Sequence, residues 1–230
     1  MFYGFIFKIV NKVFNIVSSY VNEPKRVTAE ILKYKISSNK NMFSSMEKFI
    51  NFSYLFDSIK SNKVQGEVVE IGTGIGVTQS QIILLRKLKS PQKKIYSFDT
   101  FENTHSNKPM KKASQFYDLT IPNLINAGVK NPESEVDFII GDVKNTLLEF
   151  NEKIALLHLD VDLPEVYEFI LPRLWENLSN FGYIIFDEYD NIVEIERFGN
   201  MKLVIDDFLK DKNHKVIKDK NLTKFCIQKI

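Results

Sequence analysis

Cysteine is almost missing from this chain: Cys226 stands alone among 230 residues. An intramolecular disulfide is thereby excluded, and no CxxC pair or Cys/His cluster offers a zinc site. The phrase Phe225-Cys226-Ile227 suits a buried, inert thiol better than a nucleophile. Arginine is scarce as well, confined to Arg26, Arg86, Arg173 and Arg197. The 31 basic residues are nearly balanced by 29 acidic ones, leaving a formal net charge of +2. No broad phosphate-binding field follows, which disfavours nucleic acid as the main partner. Repeats and low-complexity linkers are absent. So is a long unbroken apolar run: Met1 to Val21 is rich in Phe, Ile and Val, but Lys8, Asn11, Lys12 and Asn15 interrupt it. That argues against a transmembrane span, and the charge order and small-residue end of a signal peptide are lacking. A cytoplasmic location is expected.

What remains at the N-terminus has a helical period. Phe2, Ile6, Ile9, Val13, Ile16 (or Val17) and Tyr20 share one face. Such a stripe packs on the domain or on a second subunit, so a homo-oligomer is expected; a helix lying on a membrane surface is the alternative. Residues 1–62 read as an N-terminal helical cap and association region, ending in a helix over Met46–Ile59 with a break near Glu23-Pro24. From 63 to 230 the pattern turns to strands alternating with helices. Strands are expected at Val68–Ile71, Lys94–Asp99, Val136–Ile140, Ala155–Asp160 and Tyr183–Asp187. Helices fall at Val77–Leu88 and Val193–Leu209, and Lys215–Ile217 with Lys224–Gln228 can close as a hairpin. Continuous apolar strands between helices predict a mainly parallel α/β sheet of seven strands, covered on both faces.

The first strand runs into Glu70-Ile71-Gly72-Thr73-Gly74-Ile75-Gly76 and then a helix. Glycine tolerates positive φ and close backbone approach, and a helix start presents free N–H groups to a ligand. A dinucleotide fingerprint needs GxGxxG. Here the glycines run GxGxG, with Val77 where the last would fall, and an acid, Glu70, precedes them. This phrase resembles motif I of the class I, Rossmann-like methyltransferases, whose ligand is S-adenosylmethionine. The resemblance implies cofactor contacts from Glu70, Gly72, Thr73, Gly74 and Gly76, with the glycines beneath the methionine part. Asp99 ends the second strand, where a carboxylate can accept from both ribose hydroxyls, with Thr100 beside it. Asp142, after Ile139-Ile140-Gly141, is placed to accept from the adenine amino group.

Farther on, Leu156-Leu157-His158-Leu159-Asp160-Val161-Asp162 and Gly182-Tyr-Ile-Ile-Phe-Asp187-Glu188 are two apolar strands ending in acids. Residues two apart share a face, and the carboxyl ends of such strands border the ligand crevice. Clustered carboxylates repel unless a cation neutralises them, and hard oxygen ligands suit Mg²⁺.

Together with Ser44-Ser45-Met46-Glu47, Phe98-Asp99-Thr100-Phe101 and Gly141-Asp142-Val143-Lys144-Asn145-Thr146-Leu147, these motifs resemble the macrocin O-methyltransferase family over roughly residues 42–190. Its members are metal-dependent enzymes acting on sugar hydroxyls of macrolides and other natural products. The resemblance implies Mg²⁺ at Asp160, Asp187 and Glu188, and Asp162 as general base. Glu188 replaces the family's usual second Asp, and Leu163-Pro164-Glu165 its usual Leu-Tyr-Glu. His105, in a polar stretch after the second strand, is a second candidate base. Two rival readings use the same features. One is an NAD-dependent oxidoreductase, which leaves the acids without a purpose. The other is a non-catalytic S-adenosylmethionine-binding module, which has no need of them.

Overall fold

The computed structural model describes residues 46–101, 114–189 and 199–230. The apolar face at residues 2–20, His105, and the start of the helix expected from Val193 lie outside the described residues. Among those described, no helix is long and apolar enough to cross a membrane.

In chain order the elements are α1 (Met46–Ser61), β1 (Glu67–Ile71), α2 (Val77–Lys89), β2 (Ile95–Asp99), α3 (Ser114–Asn126), α4 (Pro132–Glu135), β3 (Asp137–Ile140) and α5 (Val143–Thr146). A 3₁₀ turn at Leu147–Glu149 leads to β4 (Ile154–Leu159), α6 (Pro164–Asn177), β5 (Leu178–Phe186), α7 (Met201–Leu209), β6 (His214–Val216) and β7 (Phe225–Lys229). The seven strands form one sheet in the order β3-β2-β1-β4-β5-β7-β6. Pairing is parallel from β3 to β5, and β7 runs antiparallel between β5 and β6. The expected closing hairpin is therefore present, with its second strand inserted into the sheet. This is the Rossmann-like architecture anticipated from the alternation of elements.

Strand boundaries differ slightly from expectation. β4 and β5 stop at Leu159 and Phe186, one residue before their acids, although the N–H groups of Asp160 and Asp187 still bond to Ile71 O and Leu159 O, each at 2.9 Å. β5 also begins earlier, at Leu178, because Ile154 pairs with Leu178 before the register shifts and Leu156 pairs with Tyr183.

Alternation divides the sheet's residues between two faces. Val69, Ile71, Leu157, Leu159, Ile184 and Phe186 join Tyr167, Ile170, Leu174, Met201 and Ile205 in one core beneath α6 and α7. The other face carries Val68, Glu70, Leu156 and His158. Over it lies α1, burying Phe49, Phe52, Leu55, Phe56 and Ile59, while Ile50 of the same periodic run is turned to solvent. Polar ties fix α1 in place. Lys89 Nζ of α2 donates to Asp57 Oδ2 (2.6 Å) and Ser53 O (3.0 Å). Asn51 exchanges bonds with Thr223: its amide donates to the hydroxyl at 2.9 Å and its carbonyl accepts from the backbone N–H at 2.8 Å.

The central strand β4 is buried at every position from Ile154 to Leu159. Leu157→Ala, at a fully buried position, should cost about 2–5 kcal/mol of unfolding free energy. Urea denaturation measures it, and an unchanged midpoint would show that this face is loosely packed.

Candidate active site

The acids come together through strand register. Ile71, Leu159 and Phe186 are aligned across β1, β4 and β5, so Gly72, Asp160 and Asp187 leave the sheet side by side. Glu70 and His158 are register partners one step earlier. Asp160 and Asp187 continue the parity of His158 and Ile185, which directs them to the face that α1 covers.

Lys48, in the first turn of α1, reaches both acids: its ammonium lies 3.1 Å from Asp160 Oδ2 and 2.9 Å from Asp187 Oδ1. Lys224, just before β7, lies 3.3 Å from Asp187 Oδ2 and donates to Asp187 O at 2.8 Å. His158 Nε2 faces the same oxygens at 4.0 Å (Asp160 Oδ2) and 3.9 Å (Asp187 Oδ1). Among the described residues, His158, Asp160 and Asp187 can offer ligand atoms that all lie within 4.8 Å of one another.

The far nitrogen of the imidazole is held by Glu70, with His158 Nδ1 and Glu70 Oε1 3.1 Å apart. Phe52 of α1 packs edge-on against the ring, with centroids 5.0 Å apart. Burial would by itself lower the pKa of His158, but the carboxylates of Asp187, Glu70 and Asp160 overcome it and raise it to about 9. Burial would likewise raise Asp187, yet His158, Lys48 and Lys224 hold it well below the usual carboxylate range. For Lys48, the two acids outweigh desolvation and hold the ammonium above its ordinary pKa. Glu70 is fully buried, which pushes its pKa up against the pull of His158. Its second oxygen, Oε2, has no hydrogen-bond partner among the described residues.

The glycines of the loop have different tasks. Gly72, at φ +91°, lies against the backbone of Asp160, and a Cβ there would collide with the Asp160 carbonyl. A Cβ on Gly76 would press on Thr120 and Leu124 of α3. Of the three, only Gly74, at φ +52°, faces open space, with nothing within 4 Å of where a Cβ would stand. Gly74 therefore leaves room beside the loop, while Gly72 serves the contact between loop and acids.

The remaining sequence-derived residues lie around this centre. Asp99 ties the loop to its strand: Oδ2 accepts from Gly74 N–H at 2.7 Å and Oδ1 from Phe101 N–H at 2.6 Å. Thr73 is buried and shares a hydrogen bond with the Ser97 hydroxyl of β2, which turns it inward. Thr100 is half-buried just past β2. Asp142 is exposed and caps α5, Oδ1 accepting from Lys144 N–H at 2.9 Å. Asp162 and Glu188 are half-buried beyond the strand ends. Glu188 adds no atom to the 4.8 Å group, where His158 stands instead.

This loop, this sheet order and these strand-end acids agree with what is known of one family. The profile of the macrocin O-methyltransferase (TylF) family matches residues 37–216. The chain belongs to this family. It is thus an S-adenosylmethionine-dependent O-methyltransferase, and the oxidoreductase alternative falls. Among curated protein sequences none matches. Among solved structures, the O-methyltransferase NovP superposes with a TM-score of 0.63 at 18% identity, covering 83% of each chain. CalS11, a TDP-rhamnose 3′-O-methyltransferase of calicheamicin biosynthesis, gives 0.58 at 17% identity over 89% of this chain and 92% of its own. The Podospora anserina methyltransferase PaMTH1, solved with S-adenosylhomocysteine, gives 0.56 at 13% identity over 95% of both chains. At such identities the likeness speaks for the fold.

Reasoning from sequence overlooked Lys48, Lys224, His158, Ser97 and Thr120 in this methyltransferase. His158 was visible as the one polar residue inside an apolar strand. Lys48 had a weaker signal, its i,i+4 spacing from Phe52 on the buried face of α1. Nothing local marks Lys224 or Thr120, which reach the site only through tertiary packing.

The contrast between the glycines can be measured. Gly74→Ala should leave the protein folded but weaken S-adenosylhomocysteine binding, whereas Gly72→Ala should destabilise the fold through the Asp160 clash. Calorimetry and thermal melts on both variants check this, and equal cofactor affinity in Gly74→Ala and wild type would contradict it. The raised pKa of His158 makes stability depend on pH. The folded value, about 9, lies above the unfolded value of about 6.5. The stabilisation is therefore fully present below pH ~6.5 and is lost as pH rises through ~9. In chelator-treated protein this should amount to about 3 kcal/mol. His158→Gln should flatten the profile, as measured by urea midpoints from pH 6 to 10.

Proposed function

We propose that this enzyme methylates a hydroxyl of a sugar or glycosylated natural product, with Mg²⁺ held at its acid cluster and Asp162 as the general base. The observation that carries the reading is the contact between Gly72 and the Asp160 backbone, which makes the glycine loop and the acid cluster one site. A methyl donor over Gly74 then lies beside the carboxylates that would orient an acceptor. The buried, unpartnered Glu70 Oε2 and the open space at Gly74 both suit S-adenosylmethionine, whose cationic amino group matches the acid. Sugar acceptors are supported by the family and by the activity of CalS11 on a TDP-sugar.

The donor set also suits a divalent cation. Carboxylate oxygens of Asp160 and Asp187 converge on one point, and that point already attracts an ammonium. Asp160, Asp187 and Glu188 would hold Mg²⁺, with Glu188 turning inward to do so. Bound there, the cation would lower the pKa of an acceptor hydroxyl and orient it.

S-adenosylmethionine, when bound, would supply an electrophilic methyl group to the acceptor oxygen, its sulfur leaving as the thioether of S-adenosylhomocysteine. Asp162 would take the hydroxyl proton. Asp99 holds the loop and is proposed to receive the ribose hydroxyls through its remaining lone pairs, with Thr100 alongside; Asp142 would serve the adenine. His105 is the reserve base. A cytoplasmic, homo-oligomeric enzyme in which the N-terminal cap (1–62) mediates association completes the proposal.

Labelled S-adenosylmethionine, offered with a panel of sugars and glycosides with and without Mg²⁺, tests the function. Turnover that requires Mg²⁺ and is abolished by EDTA is expected. Asp162→Asn should lower the rate about 10²–10⁴-fold while cofactor affinity stays near wild type. Near-normal turnover in that variant would move the base elsewhere, and no turnover with any acceptor despite cofactor binding would favour a non-catalytic module.

A further inference from the structure

Lys48 engages one oxygen of each of the two carboxylates, Asp160 and Asp187, that would hold a metal. Its ammonium sits 3.1 Å from Asp160 Oδ2 and 2.9 Å from Asp187 Oδ1. A magnesium ion bound by one oxygen of each carboxylate stands about 2.0–2.1 Å from both. The ammonium nitrogen and such an ion cannot share that space, and their charges repel. The helix bearing Lys48 is not itself easily moved. Asn51 is bonded to Thr223, Phe52 packs on His158, and Asp57 is paired with Lys89. The side chain is another matter, since lysine carries its charge on a flexible four-carbon stem. Exchange at this point is therefore a swing of one side chain against a fixed backbone.

We propose that Lys48 is a built-in cation that holds the metal position between Asp160 and Asp187 in the metal-free enzyme, and that a divalent ion binds by displacing it. The inference rests on the metal reading above and adds a competitor to it. Lys48 keeps two neighbouring carboxylates assembled when no metal is present. It also sets the apparent metal affinity, because every binding event must break both of its ion pairs. Metal occupancy and the first turn of α1 are thereby thermodynamically linked.

The test uses the full chain, with Mg²⁺ alone as the probe, in wild type and in the Lys48→Met, Lys48→Gln and Lys48→Arg variants. Isothermal calorimetry and thermal melts are the readouts, so neither depends on an acceptor. Lys48→Met and Lys48→Gln should each bind Mg²⁺ at least about tenfold more tightly than wild type. Without metal they should melt at lower temperature, since two carboxylates lose a partner, and saturating Mg²⁺ should restore the midpoint. Lys48→Arg retains the charge and should stay near wild-type affinity. If wild type binds Mg²⁺ and the two neutral variants bind it equally or more weakly, Lys48 does not share the position and the proposal is wrong, while the metal reading stands. If neither wild type nor the neutral variants bind Mg²⁺ at millimolar concentration, the metal reading itself falls and takes the proposal with it.

Discussion

Everything at the catalytic face depends on how three parallel strands are aligned. Ile71, Leu159 and Phe186 are paired across β1, β4 and β5, and the ladder continues for one more bond on each side, into Asp160 and Asp187. Because side chains alternate, a one-residue slip in β4 would bury Asp160 in the apolar core and turn Leu159 toward α1. The buried residues on both faces forbid that slip. Packing of Leu157, Leu159, Ile184 and Phe186 on one side thus determines where the carboxylates stand on the other. The hydrophobic core is, in this sense, what positions the chemistry.

Charge is balanced within the chain. Asp160 and Asp187 face Lys48, Lys224 and an imidazole whose pKa is raised to about 9. Repulsion between clustered acids, which from sequence alone calls for a metal, is already relieved by these groups. Buried charges without partners would be costly, and each of these has one. The case for a divalent ion accordingly rests on family membership and on the convergence of donor atoms. Glu70 and His158 form the layer behind, in which a carboxylate orients the imidazole through its second nitrogen.

Much of this was readable in the chain beforehand, and the reasons are local ones. Strand–glycine–helix marked the turn after β1 because its backbone takes positive φ at Gly72, Gly74 and Gly76, where glycine has few substitutes. Alternating acids after apolar runs marked Asp160 and Asp187 because a strand end is where a sheet must meet water. Helix α1 was visible in the spacing of Phe49, Phe52, Leu55, Phe56 and Ile59. Register was not readable, since it arises from side-chain packing between strands distant in sequence. Without register, the bond between Glu70 and His158 could not be foreseen. The division of labour between Gly72 and Gly74 was hidden for the same reason. It depends on which strand end lies behind each one.

Helix α1 carries its own geometric constraint. Its apolar residues anchor it from Phe49 to Ile59, and its charge acts at Lys48, one residue before that stripe begins. A helix turns about 100° and rises about 1.5 Å per residue. Deleting one residue between Phe52 and Leu55 would leave composition and hydrophobicity almost unchanged but rotate Lys48 away from the acids by more than a quarter turn. Point substitutions on the solvent side of α1 should be silent by comparison. The segment is accordingly far more tolerant of changes in side-chain identity than of changes in length, and descendants of this sequence should vary freely at its exposed positions while keeping its phase.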